Sequence, residues 1–179
     1  MALDRTKIVE AAMEILRVDG LSAVNMRSVA ARLDVGASAL YRHFSSKEAI
    51  LGAMVTCLFE AAQRDLSPEL AWRDWLFQFG HRLRTQLLEY PDSALMCVSA
   101  PPQSNDVGEV SRQIARPLTS RGISSNQAVV DIASVIALTT GWTAYQQSTA
   151  KAEFLEQLFG FDQAFDKSLR SLIAGIGSA

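Results

Sequence analysis

The sequence predicts an all-α fold in two parts: a three-helix N-terminal unit over residues 1–47 and a larger helical domain over residues 48–179. Three observations carry this. Apolar side chains recur at three- and four-residue spacing along most of the chain. The periodic stretches are separated by helix-ending residues, Gly20, Pro68 and Pro91 among them. At 179 residues the chain can form a small domain joined to one with a substantial core.

Residues 3–19 place Ile8, Ala12, Ile15 and Leu16 on one helical face and stop at Gly20, which predicts a first helix that braces the two short helices after it. Asn25 is a good N-cap for a short helix over residues 26–33, whose Val29, Ala30 and Leu33 share a face. Small Ala30 lets a crossing helix come close. In the turn Asp34-Val35-Gly36, Asp34 can take the left-handed conformation and Val35 supplies an anchor between helices. Residues 37–43 then make about two helical turns with Leu40 and Phe44 inward, leaving Ala37, Ser38, Tyr41 and Arg42 outward. Ser46 caps the next helix, whose first turn carries Lys47.

An outward face that is small at its start and carries Tyr41, Arg42 and His43 at its end suits a helix whose N-terminal part enters a DNA major groove. Small residues let the backbone approach base edges, and the three larger ones can reach phosphates or bases. Asn25 and Arg27 at the start of the preceding helix, with Lys47, are expected to hold phosphates or neighbouring bases. A hairpin serving only as core would leave the Tyr-Arg-His cluster without a role. With a net charge of −2, the chain does not bind nucleic acid through overall basicity. Residues 1–47 hold seven Lys or Arg against five Asp or Glu, a net +2, and the remainder is −4. So modest a positive end needs two copies side by side to bind tightly.

Beyond the reader, residues 46–66 form a longer helix with Ile50, Leu51, Met54, Leu58 and Phe59 on its apolar side, long enough to link both domains. Residues 72–89, rich in Trp75, Leu76, Phe79, Leu83 and Leu87, predict a central helix ended by Pro91. A short helical turn over 92–98 leads into residues 100–105, Ala-Pro-Pro-Gln-Ser-Asn, expected to be a mobile loop. Helices over 125–148 and 161–176 have more apolar and small surface than one core consumes, and Ala133, Ala137 and Gly141 permit close packing. Pairing both with symmetry mates would make a homodimeric four-helix bundle; the alternative on pattern alone is that they finish the core of one subunit.

Cys57 and Cys97 are far apart and lack histidines at ligand spacing, so free thiols are expected and neither a zinc site nor a disulfide framework. His81 stands alone, without a local Ser, Cys or carboxylate pattern, and reads as a surface or hydrogen-bonded residue. No phosphate loop or metal motif is present, so no enzyme, cofactor or metal is expected. The charged N-terminus does not resemble a signal peptide, and no uninterrupted apolar run reaches the ~18 residues that span a bilayer. The expected location is the cytoplasm, with no membrane association.

Gly20, the Val29-Ala30 pair, Val35, the run Leu40-Tyr41-Arg42-His43-Phe44, Lys47 and Leu51 stand at the mutual spacings of the tetracycline-repressor (TetR) family of transcriptional regulators, which the chain resembles. Asp34 departs from the glycine usual there and puts a negative charge near the turn. The opening MALDRTKIVEAA, the Trp72-Arg73-Asp74-Trp75 and Gly122-Ile123-Ser124 segments and the closing FDQAFDKSLRSLIAGI look like the tetracycline-repressor subgroup itself. The resemblance implies a homodimer joined through its last two long helices, a palindromic operator, a small-molecule effector that releases it, and repression as the usual outcome. In that subgroup drug and magnesium are held by polar residues, histidines included. The aligned positions here are Gln63, Phe79, Leu83, Cys97 and Ala100, of which only Gln63 keeps a strong polar handle. The ligand expected instead is largely apolar, in a cavity lined by Phe59, Trp75, Phe79, Leu83, Met96, Cys97, Leu138 and Trp142, with Gln63, Gln113 and Arg116 orienting it. The same aromatic stripe reads equally well as plain core. The alternative is an all-helical small-molecule binding protein or enzyme with a vestigial DNA-binding domain.

Overall fold

In the computed structural model, which describes residues 3–100, 104 and 106–176, helix α1 (Arg5–Asp19) begins where the Asp4 carboxylate accepts a hydrogen bond from the Lys7 amide at 2.9 Å. It ends at Gly20, whose φ of 79° few other residues tolerate. Helix α2 (Met26–Arg32) starts in a reciprocal capping box: Asn25 Oδ1 accepts from the Arg27 and Ser28 amides, and Ser28 Oγ accepts from the Asn25 amide at 3.0 Å. Asp34 then takes the left-handed conformation, φ 53°, as its short polar side chain permits.

Helix α3 (Ala37–Leu40) is shorter than the two turns expected. Residues 41–43 continue as a tight turn in which both the His43 and Phe44 amides donate to the Leu40 carbonyl, at 2.8 and 2.9 Å. That tightening brings Phe44 back into the core beside Leu40, and both are essentially inaccessible to solvent. Helix α4 (Lys47–Gln63) is capped by Ser46, which accepts from the Ala49 amide, and ends three residues sooner than predicted. A turn from Gln63 to Leu66 closes it ahead of Ser67-Pro68.

Helices α5 (Trp72–Leu88), α6 (Ser93–Ser99), α7 (Val107–Thr119), α8 (Ser125–Gln147), α9 (Thr149–Glu156) and α10 (Phe161–Gly175) complete the body. Helix α5 is central, packing on α4, α8 and α10. At Gly80 the neighbours come closest: a Cβ there would stand 2.8 Å from Leu169 Cδ2 and 3.1 Å from Val135 Cγ1. Of the expected loop over 100–105, only Ala100 and Ser104 fall within the described residues. The apolar periodicity of the sequence does not predict helices α7 and α9. Gly108 and Pro117 obscure α7, yet Asp106 caps it and Ala115 and Leu118 bury its inner side. Helix α9 buries none of its eight residues, so it has no strong apolar stripe to detect.

Helix α8 is long and apolar enough to cross a membrane by length and composition, but Ala128, Ile132 and Val135 sit in the core against neighbouring helices. Its outward side carries Val130, Ala133, Ala137, Gly141 and Ala144, the surplus apolar and small surface expected there. Helix α10 uses Phe161, Phe165, Leu169 and Ile173 within its own subunit and faces solvent with Gln163, Lys167 and Arg170.

Candidate functional site

The reader is built from three packed elements. Leu40 and Phe44 are pulled inward, so the residues between them are turned outward, Tyr41 at 56% exposure with Arg42 also exposed. His43 and Ala37 are half-buried and Ser38 is exposed. Arg5 of α1, a residue the sequence did not single out, donates to the His43 carbonyl and lays its guanidinium 3.9 Å from the centre of the Phe44 ring. It thus fixes the backbone just past Tyr41 and Arg42.

Arg27 is exposed in the first turn of α2, and half-buried Lys47 opens α4. Asn25 is exposed too, but its side chain is already engaged: the oxygen caps α2 and the amide nitrogen donates to the Ala23 carbonyl at 3.1 Å. One amide hydrogen is left for another partner. Its first duty is to aim α2, with Arg27 on it.

The residues expected around an effector divide into groups. Trp75 stacks on Phe79 with ring centres 5.1 Å apart, and Phe79, Leu83 and Met96 are sealed from solvent. Phe59 and Gln63 are half-buried on α4. Cys97 lines a different space, an open groove of about 660 Å³ between α6 and α8, with Leu95, Val98, Ile136 and Ala137. Trp142 belongs to a third cluster, edge-on to Phe159 and Phe161 at 5.6 and 6.3 Å, with half-buried Leu138 one turn before it on α8. Gln113 and Arg116 are exposed on α7. The fold therefore brings Trp75, Phe79, Leu83 and Met96 into one core and leaves the others around it.

Both cysteines are free. Burial alone pushes the Cys97 thiol up to about 12, and burial followed by the Glu60 charge raises that of Cys57. Cys57 lies in a second open groove, about 630 Å³, between α1 and α4. His81 Nε2 donates a 3.2 Å hydrogen bond to the Asp166 carboxylate of α10, in keeping with a hydrogen-bonded role. Arg170, then His81, holds the Asp166 carboxyl below its usual range. Arg84, which the sequence did not single out, is buried and reaches Gln146 at 2.8 Å and Asp162 at 2.7 Å, joining the end of α8 to the start of α10. An arginine on an otherwise apolar helix face was the only available signal.

Two family models match the chain in tandem: bacterial regulatory proteins of the tetR family over residues 8–54, and the tetracyclin repressor-like C-terminal domain over residues 66–159. Tetracycline repressor protein class G of Vibrio anguillarum is 32% identical over 97% of this chain and 93% of its own length. A variant of TetR from Acinetobacter baumannii AYE, solved in complex with minocycline, shares the fold at a TM-score of 0.76 and 31% identity, over 97% of this chain and 96% of that one. BioQ solved with its natural double-stranded DNA operator does so at 0.72 and 28%, over 99% and 100%. A head that turns Tyr41 and Arg42 outward, a helical body behind it and both family models in that same order make this chain a member of the TetR family of bacterial regulatory proteins.

Proposed function

We propose that the chain is a homodimeric transcriptional repressor that grips an inverted-repeat operator and releases it when a small, largely apolar effector binds. The observation that carries this is the outward Tyr41-Arg42 pair on a turn anchored from both sides by buried Leu40 and Phe44. The operator bound by BioQ and the minocycline bound by the Acinetobacter baumannii protein support the two halves of the reading.

Ala37 and Ser38 lie against base edges in the major groove, Tyr41, Arg42 and His43 reach bases or phosphates beside them, and Asn25, Arg27 and Lys47 hold the flanking backbone. Residues 1–47 are the DNA-binding domain and 48–179 the effector and dimerisation domain, with α4 running from one into the other. Helices α8 and α10 pair with their symmetry mates, the small residues on α8 allowing close approach. The two heads then meet successive major grooves about 34 Å apart. An effector that enters the core of Trp75, Phe79, Leu83 and Met96 reaches residues now sealed and so has to displace packing there, with Phe59, Cys97, Leu138 and Trp142 around that core and Gln63, Gln113 or Arg116 as the polar residues left to orient it. Displacement that favours one orientation of α4 over another biases head spacing. A coupling of about 1–3 kcal/mol changes operator affinity by roughly 5- to 150-fold. Regulation without catalysis, in the cytoplasm, completes the reading.

Selection of bound duplexes from a random DNA pool tests it. The expected result is an inverted repeat that Tyr41→Ala with Arg42→Ala no longer retards. A chain that binds small molecules and enriches no duplex would instead be a helical binding protein with a vestigial head.

A further inference from the structure

The head is tied to the body at the turn between α5 and α6. Asp92 occupies the N-cap position of α6, yet its side chain makes no bond to that helix's own first turn. Its Oδ2 instead accepts from the Leu21 amide of the head at 3.2 Å. Asp92 stands in the left-handed conformation, φ 60°, to do so. On the head side the chain passes through Gly20, where a Cβ would lie 3.2 Å from that same carboxylate oxygen. Two residues before Asp92, Tyr90 accepts from Arg17 of α1 at 3.4 Å, with the guanidinium 5.4 Å from the ring centre.

The same turn is fastened to the last residue of α8. The two hydrogens of Gln147 Nε2 are shared among the Leu87 carbonyl at 3.0 Å, the Tyr90 carbonyl at 2.8 Å and Ser93 Oγ at 3.1 Å, and Gln147 Oε1 accepts from the Ala94 amide at 3.3 Å. Buried Ser93 closes the turn by donating to the Leu87 carbonyl at 2.6 Å. One amide side chain thus holds both the end of α5 and the start of α6. With nearly all its polar capacity used, it has one orientation.

We propose that Gln147 and Asp92 are positioning residues that hang the reading head from α8, Gln147 by fixing the α5–α6 turn and Asp92 by bonding that turn to Leu21. This rests on the dimeric DNA-reading function proposed above. A head attached through α4 alone could swing about that helix; a second attachment removes the swing and ties head angle to the helix on which the dimer is built. The α5–α6 turn also forms part of both grooves, with Tyr90 lining the one between α1 and α4 and Asp92 the one along α6 and α8.

Amide exchange on the full chain, followed by NMR, reads the attachment without DNA, and retardation of the selected duplex reads its consequence. Asp92→Gly keeps the left-handed backbone and removes the acceptor, Asp92→Asn keeps an acceptor oxygen, and Gln147→Glu sets an oxygen against the Leu87 and Tyr90 carbonyls. Leu21 is expected to exchange about 3- to 10-fold faster in Asp92→Gly and Gln147→Glu, the loss of one hydrogen bond. Amides within α1 keep their rates, and Asp92→Asn stays near wild type. Duplex affinity falls with the Leu21 protection. Unchanged Leu21 exchange in Asp92→Gly, or faster exchange with undiminished duplex affinity, overturns the proposal. If the wild-type chain retards no duplex, the DNA-reading function fails, while the exchange rates still decide whether the attachment exists.

Discussion

Gly80 lets the packing of α5, α8 and α10 be tested by sign as well as size. Helix propensity alone makes alanine stabilise a mid-helix glycine by about 1 kcal/mol and valine by a few tenths. The structure opposes both. The first added carbon would stand 2.8 Å from Leu169 Cδ2 and 3.1 Å from both Leu169 Cδ1 and Val135 Cγ1, against the ~3.5–4.0 Å at which carbon atoms attract. Leu169 and Val135 are themselves fully buried, and a valine in a helix has one strongly preferred rotamer, so neither gives way freely. Overpacking of this kind costs about 1–3 kcal/mol. Set against the propensity gain, Gly80→Ala is expected to destabilise by about 1 kcal/mol, and Gly80→Val, which adds two further methyls at the same place, by about 2–3 kcal/mol. Urea unfolding followed by circular dichroism, at one fixed protein concentration, measures both. Equal or higher stability of Gly80→Val would mean the three helices do not cross as described.

Asp34→Gly relieves a left-handed non-glycine residue and is expected to raise stability by about 0.5–1 kcal/mol in the same unfolding assay, and to tighten duplex binding by removing a carboxylate near the reader. Arg27→Ala and Lys47→Ala should each weaken duplex binding and reduce the slope of log affinity against log salt by about 1, measured by retardation over a salt series. Cys97, with its thiol pushed up to about 12 from an ordinary 9.0, should react with iodoacetamide at pH 8 roughly a thousandfold slower in the folded chain than in urea. Because the unfolded thiol ionises first, its contribution to stability is whole below pH 9.0 and is lost as pH climbs from 9.0 toward 12. Unfolding midpoints of wild type and Cys97→Ser should therefore draw together over that range.

Much of the reader was legible because its signals are local. Asn25 and Ser46 are caps, Gly20 and Asp34 are left-handed or glycine-type stops, and Leu40 and Phe44 are the large apolar residues of their segment. Each states its conformation through its own chemistry. Helix α3 proved shorter because the last turn is tightened by packing of Phe44, a tertiary effect that propensity does not contain. The effector region was less legible for a similar reason. Periodicity puts Trp75, Phe79, Leu138 and Trp142 on apolar faces, but which faces meet depends on helix crossings, and Trp142 turned toward Phe159 and Phe161 instead. Arg84, Asp92 and Gln147 show the same limit more sharply. Their partners lie 53 to 78 residues away in the chain, and no spacing rule reaches so far. The resemblance of the Trp72-Arg73-Asp74-Trp75 and Gly122-Ile123-Ser124 segments did extend the family assignment into the body, where the C-terminal-domain match over residues 66–159 agrees with it.

Hydroxyl-radical footprinting on the selected duplex tests the paired-head grip most directly. Two protected patches one helical turn apart, on the same face of the DNA and both lost with Tyr41→Ala and Arg42→Ala, are the predicted result. One patch alone, or protection that survives the double substitution, would contradict it.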